Sequence, residues 1–196
     1  MMRKIVFKTN RLIIRKATAT DRDVNMFFNL WTNPEVMKFV GFPNGLNITK
    51  QAIYEGIADE DEFEYNYKLV AVHRETNQPI GECKLGRPNK EGISETDVKL
   101  LPRYWGKGYG TEVKQGLVDY LFTNTDCQAV KATPNKLNIA SQKMQEAVGG
   151  RKIDEGVFRF PEEMRSYTID VPHFVYMVYR EDWERIRQKI GGSDSG

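Results

Sequence analysis

Pro102-Arg103-Tyr104-Trp105-Gly106-Lys107-Gly108-Tyr109-Gly110-Thr111-Glu112 is the stretch that decides the fold. The run before it, Glu95 to Leu101, has the composition of a strand. After it, Val113, Gly116, Leu117, Tyr120 and Leu121 recur at the period of an amphipathic helix. The stretch is therefore a turn from strand to helix. Its glycines at 106, 108 and 110 permit positive φ and let a ligand approach the backbone without a Cβ in the way. The following helix aims unpaired N–H groups and the positive end of its dipole at the loop. The natural occupant of such a loop carries phosphate.

Two common nucleotide loops do not fit. A P-loop needs four residues between its glycines, then Gly-Lys and Ser or Thr. Here Gly106-Lys107 is followed by Gly108. The dinucleotide fingerprint needs two residues before its third glycine, whereas Gly106, Gly108 and Gly110 simply alternate. What remains is Arg103-x-x-Gly106-x-Gly108, entered from a strand and leaving into a helix. This pattern resembles the acetyl-CoA pyrophosphate loop of the GCN5-related N-acetyltransferase (GNAT) superfamily. Its wording is most similar to the ribosomal-protein N-terminal acetyltransferase branch. Thr9 to Arg15 is similar to the first strand of that branch, Asn138-x-x-Ser141 to the second cofactor region, and Tyr179 to Trp183 to the last strand running into a terminal helix. The resemblance covers residues 9–185 as one domain. It leaves 186–196 as the end of a terminal helix and a disordered tail ending in Gly191-Gly192-Ser193-Asp194-Ser195-Gly196.

Composition narrows the classes. At 196 residues the chain is long enough for one domain with a substantial core. A net charge of +2 argues against nucleic-acid binding driven by bulk charge. There is no apolar run long enough to span a bilayer, and the apolar stretch of Met1 to Lys8 is too short for a signal peptide. Cys83 and Cys127 are expected to be reduced, which places the protein in the cytoplasm. A monomer or homodimer is expected. His73 and His173 have no metal-ligand spacing, so no metal is expected. His73 reads as structural. His173 sits in a loop from which it would line an acceptor site.

The order of elements is mixed α/β. A strand at Leu12 to Lys16 precedes a helix carrying Val24, Phe27, Phe28 and Trp31, capped by Thr20 or Asp21. Those aromatics and Phe39 read as core or as a wall of the acceptor groove. Asn33-Pro34 starts a short turn, and Thr49 caps a helix followed by the acidic run Asp59 to Glu64, a solvated end or a lure for a cationic acceptor. A meander follows over Tyr67–His73, Ile80–Leu85 and Glu95–Leu101. After the glycine loop come a helix, a strand at Ala129–Thr133, and a helix at Asn138–Val148 with Ala140, Met144, Ala147 and Val148 inward. Two strands near Arg151–Phe158 and Phe174–Tyr179 close the chain. The loop between them, with Pro161, Tyr167 and Pro172, is long enough to be functional.

The resemblance implies a mostly antiparallel central sheet flanked by helices, an acyl-CoA N-acyltransferase fold. It also implies a V-shaped gap between the fourth and fifth strands of the family fold. It implies acetyl-CoA as co-substrate and an amine acceptor, either a protein N-terminus or a small molecule, attacking the thioester directly. A non-catalytic acyl-CoA sensor is the alternative. The pyrophosphate would sit on the backbone from Arg103 to Thr111, including Gly106, Lys107, Gly108, Tyr109 and Gly110, with Arg103 and Lys107 adding charge. The backbone of Lys99, Leu100 and Leu101 would pair with the pantetheine arm, and an N–H near Leu100 would face the thioester oxygen. Ser141 is the candidate acid for the thiolate, with a water as the other option. Asn138 holds the pantetheine, caps its helix, or does both. Glu95 or Asp97 is the candidate base, directly or through water. The chain departs from the family pattern in reading Glu95-Thr96-Asp97-Val98 where relatives carry Glu-Ile-Gly-Tyr, and in having no tyrosine between Asn138 and Val148.

Overall fold

The computed structural model describes residues 4–59 and 68–191. Tyr67 and most of the acidic run Asp59 to Glu64 lie outside the described residues. Eight strands form one sheet: β1 (Ile5–Lys8), β2 (Leu12–Lys16), β3 (Leu69–His73), β4 (Pro79–Leu85), β5 (Ile93–Leu100), β6 (Ala129–Ala132), β7 (Arg151–Phe158) and β8 (Val171–Tyr179). Their spatial order is β1-β2-β3-β4-β5-β6-β8-β7. Every pairing is antiparallel except β5 with β6. That one parallel step is the crossover made by α4 (Tyr109–Asn124) between β5 and β6.

Side-chain alternation sorts the sheet into two cores. On β2 and β3, Leu12, Ile14, Leu69 and Ala71 face α4, where Val113, Leu117, Val118 and Leu121 meet them. Val70 and Val72 face the opposite way, toward α1 (Asp21–Trp31), α2 (Pro34–Met37) and α3 (Lys50–Ala58). Phe27 and Leu30 of α1 are completely buried there. Burial of that kind contributes about 1.5–3 kcal/mol per large apolar side chain.

The entry to α1 is fixed by charge rather than by its cap. Thr20 occupies the N-cap but makes no side-chain cap bond. Asp23 instead accepts two bonds from Arg15 at the end of β2, both at 2.7 Å, and two more from the Thr18 N–H and hydroxyl. Burial works against this carboxylate, but Arg15 and Thr18 outweigh it and hold Asp23 below the usual carboxylate range. Thr49 and Asn33 do cap α3 and α2, accepting from Ala52 N–H at 3.2 Å and Glu35 N–H at 2.9 Å. At the other end of α4, the Arg180 guanidinium donates to the carbonyls of Phe122, Thr125 and Cys127. This ties α6 (Arg180–Gly191) to α4 and offsets the negative end of its dipole.

Three expectations change. Residues 5–8 form an edge strand, β1, because Phe7 packs over Gly116 and Tyr120 of α4; a Cβ on Gly116 would lie 2.4 Å from the Phe7 ring. β8 begins at Val171, not Phe174, because β7 pairs along its full length and draws residues 171–173 into the ladder. His173 is thus a strand residue, with Nδ1 3.1 Å from the Val171 carbonyl oxygen. The loop before it docks Phe160 and Tyr167 on Phe42. Neither this loop nor His173 borders the cleft described below.

Candidate active site

The sheet divides at one point. β5 and β6 share only Ile93↔Ala129, Ser94↔Val130 and Glu95↔Lys131. β5 then stays with β4 as far as Leu100 and parts from β6. A cleft of about 1020 Å³ opens at this fork, bounded by β5, the glycine loop, the start of α4, the end of β6 and α5 (Ile139–Ala147). On the β5 edge, the Leu101 N–H is spent on the Ile80 carbonyl of β4. By strand alternation the polar backbone of Leu100 therefore points across the fork. The Leu100 carbonyl accepts from the Trp105 indole at 2.7 Å, and the Asp97 carboxylate curls back to accept from the Val98 N–H at 2.9 Å.

The glycine loop has the shape the sequence predicts. Gly106 and Gly108 have φ of +70° and +77°, and Gly108 is the uncapped N-terminus of α4. The first N–H groups of this 16-residue helix face the cleft at Tyr109, Gly110 and Thr111. A Cβ on Gly110 would sit 3.3 Å from the Met144 sulfur, so α5 closes on α4 at this point. The loop is braced from below. Glu112 accepts from the Thr9 hydroxyl, the Arg11 N–H and Arg11 Nε at 2.5, 2.8 and 2.6 Å. Arg11 also reaches the Lys107 carbonyl and stacks 4.4 Å over the Tyr109 ring. Burial raises the Glu112 carboxyl, but these donors outweigh it and hold it below its ordinary value.

Lys99, Leu100, Gly106 and Gly108 border the cleft, as do Asn138 and Ser141 across from them. Leu101 is buried in the α1–α3 core, and Arg103 and Lys107 are exposed on the outside of the loop. Asn138 caps α5, its Oδ1 accepting from the Ser141 N–H at 3.0 Å. α5 differs from expectation. Ala140 and Ala147 are exposed on the cleft wall, Met144 is half-buried there, and Gln145 is the buried residue. The small side chains face the cleft because α5 covers it rather than the sheet.

Both candidate bases are paired. Glu95 lies 3.0 Å from Lys131 across the last β5–β6 pair. Asp97 is bonded to Lys99, which also reaches Glu82 at 3.1 Å. Desolvation raises Asp97, but the charge and hydrogen bond of Lys99 prevail and hold it below the usual range. Lys99 is pushed up by the same two carboxylates against its own desolvation.

Residues 11–151 match the acetyltransferase (GNAT) domain family. The chain belongs to this family. The acetyltransferase is 29% identical to the uncharacterized N-acetyltransferase p20 of Bacillus licheniformis over 85% of this chain and 92% of the relative. Its fold is similar to a GNAT-family acetyltransferase from Bacillus anthracis, with a TM-score of 0.71, 22% identity, and coverage of 89% of this chain and 98% of that one. It is also similar to spermidine N-acetyltransferase from Vibrio cholerae, solved with CoA and spermine, at a TM-score of 0.69 and 17% identity over 88% and 98% of the two chains. No described helix is long and apolar enough to cross a membrane, and no group of three His, Cys, Asp or Glu among the described residues is placed to hold a metal.

Sequence reasoning on this acetyltransferase missed Lys114. It borders the cleft, is 1% exposed, and bonds to the Thr96 hydroxyl. The signal was available: a lysine three residues before Leu117 and four before Val118 falls on the buried stripe of α4. The brace of Arg11 and Glu112 was also missed. It joins residues about a hundred positions apart, and no local pattern announces it.

Proposed function

We propose that this acetyltransferase moves an acetyl group from acetyl-CoA to a primary amine, by direct attack of the amine on the thioester in a ternary complex. The observation that carries this reading is the fork. It sets an open β5 backbone edge, a helix N-terminus and two carboxylates of β5 around one cleft. The pyrophosphate fits the N–H groups from Gly106 to Thr111, with Arg103 and Lys107 supplying outer charge. The pantetheine amides fit the β5 edge at Leu100; Lys99 and Leu101 turn their backbone groups to β4 instead. The Leu100 N–H is the donor for the oxyanion that forms on the acetyl carbonyl. Asn138 and Ser141 form the wall along which the sulfur lies, and Ser141 offers it a hydroxyl.

Glu95 and Asp97 line the acceptor side and attract its ammonium. Asp97, held low by Lys99, acts as a charge more readily than as a proton acceptor, and Glu95 is paired with Lys131. The acceptor is a small-molecule amine or a protein N-terminus. The spermidine enzyme of the same fold supports the first, and the wording of the glycine loop supports the second. One domain over residues 9–185, working in the cytoplasm as a monomer or homodimer, completes the reading.

The test is acetyl-CoA consumption, read as free thiol, against N-terminal peptides, polyamines, amino acids and aminoglycosides, with acetyl-CoA binding followed by thermal shift. Thiol release with one acceptor class supports the reading and names the class. A protein that neither binds acetyl-CoA nor releases thiol overturns it.

A further inference from the structure

Lys114 sits where the pattern of α4 asks for an apolar residue. Among the described residues its amine has one hydrogen-bond partner, Thr96 Oγ1 at 2.5 Å, whereas an ammonium carries three donors. On the neighbouring helix α5, Gln145 also borders the cleft, is buried, and has an Oε1 with no hydrogen-bond partner among the described residues. Buried groups with unfilled hydrogen-bonding capacity cost stability, and two of them beside one cleft call for a reason. Thr96 is the first β5 residue beyond the last pair with β6, so its hydroxyl stands at the vertex of the fork.

The charges around Lys114 are otherwise committed. Asp97 of β5 is the carboxylate that acts on it, and Lys99 already holds Asp97. Glu95 is taken by Lys131 of β6, and Glu82 of β4 by Lys99. From α5 the buried neighbour is the neutral Gln145. From β1 and β2 the residues packed on α4 are the apolar Phe7, Leu12 and Ile14.

Acetyl transfer needs a group that both takes and returns a proton near neutral pH. Asp97, held down by Lys99, keeps a proton too weakly. The Ser141 hydroxyl keeps its own too tightly. Lys114 falls between, because burial brings its ammonium down to about 8 against a smaller pull from Asp97.

We propose that Lys114, acting through the Thr96 hydroxyl, carries the proton from the acceptor nitrogen to the CoA sulfur during acetyl transfer. This rests on the reaction proposed above. An acceptor arriving as an ammonium sheds its first proton to solvent. Neutral Lys114 then takes a proton through Thr96 as the nitrogen bonds to the acetyl carbonyl carbon. The tetrahedral adduct breaks its C–S bond, and the electron pair leaves with sulfur. The Lys114 ammonium returns the proton through the same hydroxyl, so CoA departs as the thiol and Lys114 is neutral again. Thr96 touches the reacting groups, and Lys114 positions the proton behind it.

Bound CoA is the probe, which makes the test independent of the acceptor. Wild type, Lys114→Met and Thr96→Val are loaded with CoA, and thiolate ultraviolet absorption is followed from about pH 6 to about pH 10. In the wild type Lys114 draws the thiol proton, so thiolate appears roughly one pH unit or more lower than in either variant. With the fastest acceptor of the panel, kcat/KM of the wild type rises with pH through about 8, and Lys114→Met loses that limb. Its rate falls by roughly 100-fold or more. Thermal melting confirms that each variant is folded. Coincident thiolate titrations in wild type and Lys114→Met overturn the relay. Failure of the wild type to bind CoA overturns the donor reading and the relay with it.

Discussion

Replacing Lys114 with methionine should make this protein more stable at neutral pH. Burial lowers the lysine from 10.5 to about 8. Each pKa unit is worth about 1.4 kcal/mol, so holding the ammonium inside costs the folded state about 3 kcal/mol at pH 7. Methionine has similar length and no charge, and it fits the apolar face of α4. Thr96 loses its partner, which returns about 1 kcal/mol of the gain. The net is about 2 kcal/mol, or a rise in melting temperature of roughly 4–8 °C for a chain of this size. The pH dependence is the sharper test. Below about 8, lysine is protonated in both folded and unfolded chains and its penalty is complete. Between about 8 and 10.5 the unfolded chain binds more protons, so wild-type stability rises with pH and the gap between the two proteins closes. Melting both from about pH 7 to about pH 9.5 reads this directly. A methionine variant less stable than wild type at pH 7, or a gap that does not change with pH, refutes the account of Lys114 as an underpaired buried ammonium.

Gly108→Trp places a side chain at φ +77° against the first N–H groups of α4, and acetyl-CoA binding measured by calorimetry should weaken at least roughly tenfold. Asp23→Ala leaves Arg15 charged and buried, and urea unfolding should show a loss of about 3–5 kcal/mol. Glu112→Gln frees Arg11 and the loop, costing about 1–2 kcal/mol at pH 7. The wild-type carboxyl is held below its ordinary value, so that advantage is present at neutral pH and disappears as pH falls through the folded-state pKa. Parallel acid titrations of Glu112→Gln and wild type should therefore converge.

Much of this was legible in the chain because it was local. The glycine loop, its strand and its helix are contiguous, and Gly106 and Gly108 announce positive φ by their chemistry. Thr49 was readable as a cap, and Asn33-Pro34 as the start of a short turn, for the same reason. The misses were of another kind. Phe7 makes residues 5–8 a strand only because Gly116, far along the chain, leaves room for its ring. Ala140 and Ala147 read as core because apolar spacing cannot distinguish a helix face turned to a sheet from one turned to a cleft. Asp97 read as a candidate base, and its ion pair went unread because Lys99 and the second ligand of that lysine, Glu82, meet only when β4 and β5 pair. The fork itself depends on where hydrogen bonding between two strands stops, and nothing in either strand encodes that end by itself.

The short pairing of β5 with β6 bears on solubility. Beyond Glu95 and Lys131 the molecule carries two strand edges inside its own sheet, with backbone donors and acceptors turned toward each other across a gap. Such edges can add a further strand, whatever chain supplies it. On the proposed reading a pantetheine arm would satisfy them with its amides, and so would an extended segment of an unfolded neighbour. On that reading the supply of CoA would govern more than turnover. Protein kept saturated with it should resist clumping on storage and warming, while protein stripped of it should lose material from solution first.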